Sequence, residues 1–230
     1  MLEEKILFIL LLLLYLPLGL NAQSNDTKAY YIVLGDSFAR GISDPGNNSS
    51  TIYSYADALY EQLKATNPNL VLKKFAHGGQ STKTLISDQL KRVTNFMKLN
   101  SGLTKLITIT IGKCDFKDCN NTSECTNRLN EIVYNLNTTI IPMLKEAGGK
   151  GVQYGATTNY NVYLNSNELD DSLIKVYSEN GVKVADMRNI ITNETACNYT
   201  YLCDYHNGHP NVNGSHAIAD VLYSNLTVPL

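Results

Sequence analysis

Tyr30-Tyr31-Ile32-Val33-Leu34-Gly35-Asp36-Ser37 is the stretch on which the reading of this chain turns. Five β-favouring residues run without interruption into a glycine, which predicts a strand that stops abruptly at a tight turn. Working outward, the next periodic segment, Tyr53 to Ala65, sets Ala56, Leu59, Tyr60 and Leu63 on one helical face. The alternation then repeats. A strand is predicted over Val71–Phe75, a helix over about Leu85–Leu99, a strand over Leu106–Ile111 and a helix over Cys125–Glu146, which Gly148-Gly149 ends. A strand near Gly151–Ala156, a helix near Glu168–Asn180, a strand over Val182–Asp186 and a last helix near Gly214–Leu226 complete the series. Strands separated by helices of crossover length imply a parallel sheet covered on both faces, with functional loops at the carboxyl ends of the strands.

Composition agrees with one globular domain. The 230 residues are 43% hydrophobic and 17% charged, enough apolar material for a single buried core. A net charge of -2 gives no basic footprint for nucleic acid or an anionic membrane. Residues Met1–Ala22 read as a signal peptide: Lys5 in a short start, an apolar run from Ile6 to Leu18, then Leu20-Asn21-Ala22 before the expected cut, leaving a domain over residues 23–230. An uncleaved signal anchor is the competing reading, because Leu20 is large for its place. No later stretch approaches the roughly 20 apolar residues that span a bilayer, so a soluble secreted monomer is expected. Asn-X-Ser/Thr acceptors begin at Asn25, Asn47, Asn48, Asn120, Asn121, Asn137, Asn193, Asn198, Asn213 and Asn225, which suits a secretory glycoprotein.

Cysteine spacing points the same way. Cys119 with Cys125 and Cys197 with Cys203 form two close pairs, and in an oxidising compartment short local disulfides are expected. Neither pair has the tighter spacing of zinc ligands, so no metal is expected. Cys114 is left over.

Two short motifs carry chemistry. Gly35-Asp36-Ser37 sits where the first strand ends, so its turn would hold a serine hydroxyl at the sheet edge. Taken alone it is also an ordinary turn, or a cap in which Ser37 does no chemistry. His209-Pro210-Asn211-Val212-Asn213-Gly214 precedes the last helix, and a loop histidine titrates near neutrality, although His206 and His216 show that histidines cluster here. The order is more telling than either motif. A serine follows the first strand, glycines in His77-Gly78-Gly79-Gln80 follow the second, a glycine turn Gly112-Lys113-Cys114-Asp115 follows the third, and a histidine precedes the final helix. That order resembles the SGNH/GDSL hydrolase family over nearly the whole mature chain.

The resemblance implies a three-layer α/β/α sandwich around a mainly parallel, flavodoxin-like five-stranded sheet. It also implies a lipase or esterase that uses no cofactor and acts on a small-molecule or lipid acyl ester. Ser37 would be the nucleophile and His209 the base. The oxyanion donors would be the backbone N–H of Ser37, that of Gly79, with Gly78 as the alternative alignment, and a third-block asparagine side chain. Here the chain departs from the pattern, because Cys114 stands in place of that asparagine and a thiol is a weak donor. A buried inert thiol and a redox-sensitive one both fit that position. Three residues before the histidine, where the family often has Asp, the chain has His206; Asp204 is the nearest carboxylate, with a backbone carbonyl as the other way to orient the imidazole. Asp36 and Asp115 read as turn-shaping residues. Two non-enzymatic readings stay open: a hydrolase-like scaffold that has lost turnover but binds an acylated glycan or lipid, and a surface glycoprotein.

Overall fold

A computed structural model of the chain describes residues 28–46, 50–117, 119, 121–160, 162 and 167–230. The expected signal peptide, and the acceptors at Asn25, Asn47, Asn48 and Asn120, lie outside the described residues.

Five strands form one sheet: β1 (Ala29–Gly35), β4 (Leu70–Lys74), β5 (Thr104–Thr110), β6 (Gln153–Thr157) and β7 (Lys183–Ala185). Their spatial order is β4-β1-β5-β6-β7, and every neighbouring pair is parallel. This is the flavodoxin-like order, with its switch point at β1, where the chain leaves to one side for β4 and to the other for β5.

Period-two alternation distributes β1 between two cores. Tyr30, Ile32 and Leu34 face a layer built from α4 (Gln89–Leu99), α6 (Thr122–Asn135), α7 (Ile141–Gly148) and α8 (Asn167–Glu179), where Val93, Ile132, Leu144 and Leu173 are buried. Tyr31 and Val33 face α2 (Tyr55–Lys64) and α11 (Val212–Asn225), which contribute Leu59, Leu63, Ala219 and Leu222. The second core is partly polar. Thr108 and Thr110 of β5 are satisfied by a chain of hydroxyls: Tyr31 with Thr108 at 2.8 Å, Thr110 with Tyr55 at 3.2 Å and with Thr157 at 2.9 Å. At these two positions buried threonine is tolerated because each hydroxyl finds a partner, whereas the buried Thr104 hydroxyl at the start of the strand has none among the described residues.

Three predicted elements are subdivided. The helix expected over Leu85–Leu99 is α3 (Thr82–Ser87) and α4, separated at Asp88, a turn residue whose φ of -116° and ψ of -75° distort the right-handed helical backbone. The helix expected over Cys125–Glu146 is interrupted by a π-helical turn, Leu136–Ile140, just before Pro142, which has no N–H to continue the α ladder. The loop before the last helix contains α9 (Ala196–Tyr199), β8 (Thr200–Tyr201), α10 (Leu202–Tyr205) and β9 (Asn207–Pro210), with β8 antiparallel to β9. After β1 come a single helical turn, α1 (Ser37–Arg40), and a small ladder of β2 (Ile42–Ser43) with β3 (Ile52–Tyr53); α5 (Lys113–Phe116) follows β5. Both expected disulfides, Cys119–Cys125 and Cys197–Cys203, are present, and Cys114 is free. Among the described residues no helix is long and apolar enough to cross a membrane.

Candidate active site

The turn after β1 is built from backbone constraints. Gly35 takes φ +122°, and a Cβ placed there would overlap the carbonyl oxygen of Thr110 on β5, so only glycine fits. The buried Gln89 side chain grips this glycine as a strand would, accepting from its N–H at 2.9 Å and donating to its carbonyl at 2.8 Å. Asp36, also buried, accepts the Phe38 N–H at 2.9 Å and so caps the turn that carries Ser37, as its turn-shaping reading expects. Gln89 belongs to a helix that the sequence marks only as amphipathic, and no motif announces its role.

The last block comes to meet this turn across 172 residues of chain: His209 Nε2 lies 2.8 Å from Ser37 Oγ. The group at the other ring nitrogen is not Asp204. Asn207 Oδ1 lies 2.6 Å from His209 Nδ1 and accepts the His209 backbone N–H at 3.0 Å, an Asx turn that doubles as a ring anchor. Asp204 sits exposed on α10, with no hydrogen bond to His209 among the described residues. The physical reason is His206, which ends α10 in the left-handed region at φ 51° and turns the chain so that Asn207 is delivered to the ring. The Asn-Gly-His spacing is the signal that points to it, since asparagine two residues before a backbone N–H is a standard Asx-turn former. Tyr160, in the loop after β6, holds the same segment by donating its hydroxyl to the Gly208 carbonyl at 2.6 Å.

The second and third blocks also arrive here. A Cβ on Gly78 would come within 4.0 Å of Ser37 Cβ, whereas one on Gly79, at φ +74°, would meet nothing within 4 Å. Gly78 is thus the glycine of the pair packed nearer the serine, and Gly79 is the one with backbone freedom. Asp115 binds the Thr82 N–H at 2.9 Å and its hydroxyl at 2.6 Å, tying the third-block turn to the start of α3. Cys114 is half-buried on α5, and burial, with Asp36 second, pushes its thiol up to about 11. It stays protonated at neutral pH, which suits the inert reading better than the redox-sensitive one.

Lys113, beside it, sends its ammonium over two rings, 4.8 Å from the Phe38 centroid and 5.4 Å from that of Tyr160. Phe38 in turn meets the His209 ring edge-on at 5.4 Å. Burial, and then the Lys113 charge, lower the His209 pKa below the ordinary imidazole value. Burial pushes the Asp36 carboxyl up to about 7, partly offset by the Phe38 N–H and Lys113. A shallow crevice walled by Phe38, Ile42, Tyr53 and Pro210 lies beside the pair. Among the described residues no group of three or more His, Cys, Asp or Glu is placed to hold a metal ion.

No curated protein matches the chain. Solved structures do. The acetylxylan esterase Axe2 of Geobacillus stearothermophilus superposes with a TM-score of 0.63 at 15% identity, over 87% of this chain and 95% of that one. The extracellular lipase of Streptomyces rimosus gives 0.52 at 18% identity, over 86% and 100%. Protein YXIM of Bacillus subtilis gives 0.62 at 17% identity over 87% of this chain, which spans only 56% of its length. At such identities the likeness is one of fold. The family profile reaches further: that of the GDSL-like lipases and acylhydrolases matches residues 33–217, from within β1 to within α11, and the chain therefore belongs to the GDSL-like lipase/acylhydrolase family.

Proposed function

We propose that the protein is a secreted, monomeric serine esterase that hydrolyses acyl esters through an acyl-serine intermediate. The observation that carries the reading is the 2.8 Å approach of His209 Nε2 to Ser37 Oγ at the switch point of the sheet. In this mechanism His209 takes the Ser37 proton as Oγ bonds to the ester carbonyl carbon. The resulting oxyanion is held by the backbone N–H groups of Ser37 and of the Gly78-Gly79 pair, with Gly79 the family-aligned donor and Gly78 the alternative, and with Cys114 adding little. The intermediate collapses with loss of the alcohol, to which His209 returns the proton. Water, activated by the same imidazole, then releases the acid and restores Ser37. No cofactor enters.

Two disulfides, and exposed acceptor asparagines at Asn121, Asn137, Asn193, Asn198 and Asn213, support cleavage after Ala22 and passage through an oxidising secretory route. The purified protein should hydrolyse a short nitrophenyl ester and react with a fluorophosphonate probe, and Ser37→Ala should abolish both. Turnover that persists in Ser37→Ala defeats the nucleophile assignment. Cys114 favours one rival, a scaffold that binds an acylated ligand without turning it over; for that reading the wild type would bind the ester yet release no product.

A further inference from the structure

The identity of a single atom decides what the His209 arrangement does. The side-chain amide of Asn207 faces the His209 backbone nitrogen at 3.0 Å and ring Nδ1 at 2.6 Å with the same atom. A backbone N–H only donates, so that atom is the amide oxygen and not the amide nitrogen. The oxygen carries no proton, so Nδ1 must supply one. A neutral imidazole holds a single ring proton, which leaves Nε2 bare where it meets Ser37 Oγ at 2.8 Å. This is the tautomer a general base requires.

We infer that Asn207 is the positioning residue of a triad without a carboxylate, Ser37–His209–Asn207, in which a neutral amide does what an aspartate does elsewhere. The inference rests on the esterase reading for its catalytic meaning, though not for its tautomer. An amide fixes the ring plane and the position of its proton, but it provides no counter-charge when the imidazole becomes imidazolium. The surroundings do not replace that charge. Lys113 reaches the site from α5 as a cation, Asp36 is buried on the serine turn and engaged by the Phe38 N–H, and Tyr160 is committed to Gly208. Tyr53 and Ser54 line the neighbouring crevice without charge, and Asp204, Tyr205 and His206 on the base's own hairpin are exposed to water. The base is therefore a weak one that stays unprotonated into mild acid, exchanging proton affinity for availability.

The test uses the full secreted protein and a short nitrophenyl ester, with kcat and KM followed from mild acid to mild alkali. Asn207→Ala should lower kcat on the order of 10²-fold or more while KM stays within about threefold, since the loss is of orientation rather than of binding. Asn207→Asp keeps the oxygen that accepts both bonds and adds the missing charge, so the acid limb of kcat/KM should move upward by roughly 1–3 pH units. A purely structural role for Asn207 would not move that limb. Nitrogen-15 spectra of the His209 ring should show the proton on Nδ1 in the wild type and a loss of that preference in Asn207→Ala, a readout independent of turnover. The inference is overturned if folded Asn207→Ala keeps wild-type kcat, if Asn207→Asp leaves the limb in place, or if the wild-type ring carries its proton on Nε2. Turnover retained by Ser37→Ala would instead sink the esterase reading and leave the tautomer result to decide the role of Asn207.

Discussion

The nucleophile and its base are held by two different kinds of structure. Ser37 stands on a turn gripped by the sheet: Gly35 is pressed against Thr110, clasped by Gln89 and followed by a buried capping aspartate. His209 stands on a half-buried two-stranded ladder held mainly by local devices, among them the Asn207 Asx turn, the Asn211 cap on the Gly214 N–H at 3.0 Å and the Cys197–Cys203 disulfide, with the Tyr160 hydroxyl reaching in from 48 residues away. The nucleophile arm draws its rigidity mainly from long-range packing and the base arm mainly from short-range hydrogen bonds. Damage to the first should therefore be global, and damage to the second local.

Gly35→Ala probes the first half of that contrast most harshly. The added methyl would overlap a backbone oxygen of the neighbouring strand at a φ that disfavours any side chain, and overpacking with backbone strain together cost roughly 3 kcal/mol or more. We expect little folded protein, a urea midpoint far below wild type and no ester hydrolysis. A variant with wild-type stability and turnover would show that the sheet does not set the serine turn.

Cys114→Asn tests the block between the two arms. Removing an oxyanion donor costs other enzymes about 10²–10³ in turnover, so restoring an amide at this position should raise kcat by up to about 10²-fold and leave the melting temperature nearly unchanged. Unchanged or lower kcat in a folded variant would mean that position 114 does not face the oxyanion.

For the base arm, Cys197→Ser with Cys203→Ser opens a loop closed by a sequence separation of 6. A loop that short adds roughly 2 kcal/mol by the chain-entropy relation. The expected result is a local one, with amide exchange quickening over residues 196–211 and kcat falling while the sheet keeps its protection. Exchange that quickens equally in β1 and β5 would erase the distinction between the arms.

The same contrast explains what could be read in advance. The parallel sheet and both disulfides are legible because they rest on local patterns, strand–helix alternation and cysteine spacing, whereas the flavodoxin-like strand order and the choice of Ser37 and His209 follow from the resemblance carried by the order of the motifs. Gln89 is not legible. It contacts Gly35 across 54 residues of sequence, and nothing local separates it from any other polar residue on an amphipathic helix. Asn207 lies between the two: the Asx spacing is in view, but Asp204 is the nearest carboxylate, and only the left-handed turn at His206 shows why that side chain stays in water. Pro142 marks the break before α7, yet a proline near a helix start is also an ordinary N-terminal residue, so its π turn cannot be told from a continuous helix by sequence.

The smallest expected effect separates the arms by pH. Asp36 is buried beside the nucleophile with its carboxyl pushed up to about 7, whereas an unfolded chain ionises near the ordinary aspartate value of about 3.9. Between these two values the folded state keeps a proton that the unfolded state has released, so stability falls as pH rises through that window, and the loss is complete above the folded pKa. From about pH 6 to pH 8 the wild type should lose on the order of 1 kcal/mol from this group. An amide in place of the carboxyl cannot ionise, yet its oxygen still accepts the Phe38 N–H, so Asp36→Asn should preserve the cap and remove this slope. The quantity to measure is the difference in urea midpoint between the two proteins at either end of that range, because titrating groups not coupled to Asp36 cancel in it. It should shift in favour of Asp36→Asn as pH rises. A difference that does not change with pH would mean that Asp36 titrates like an exposed carboxylate, and that the serine turn is more open to water than its packing indicates.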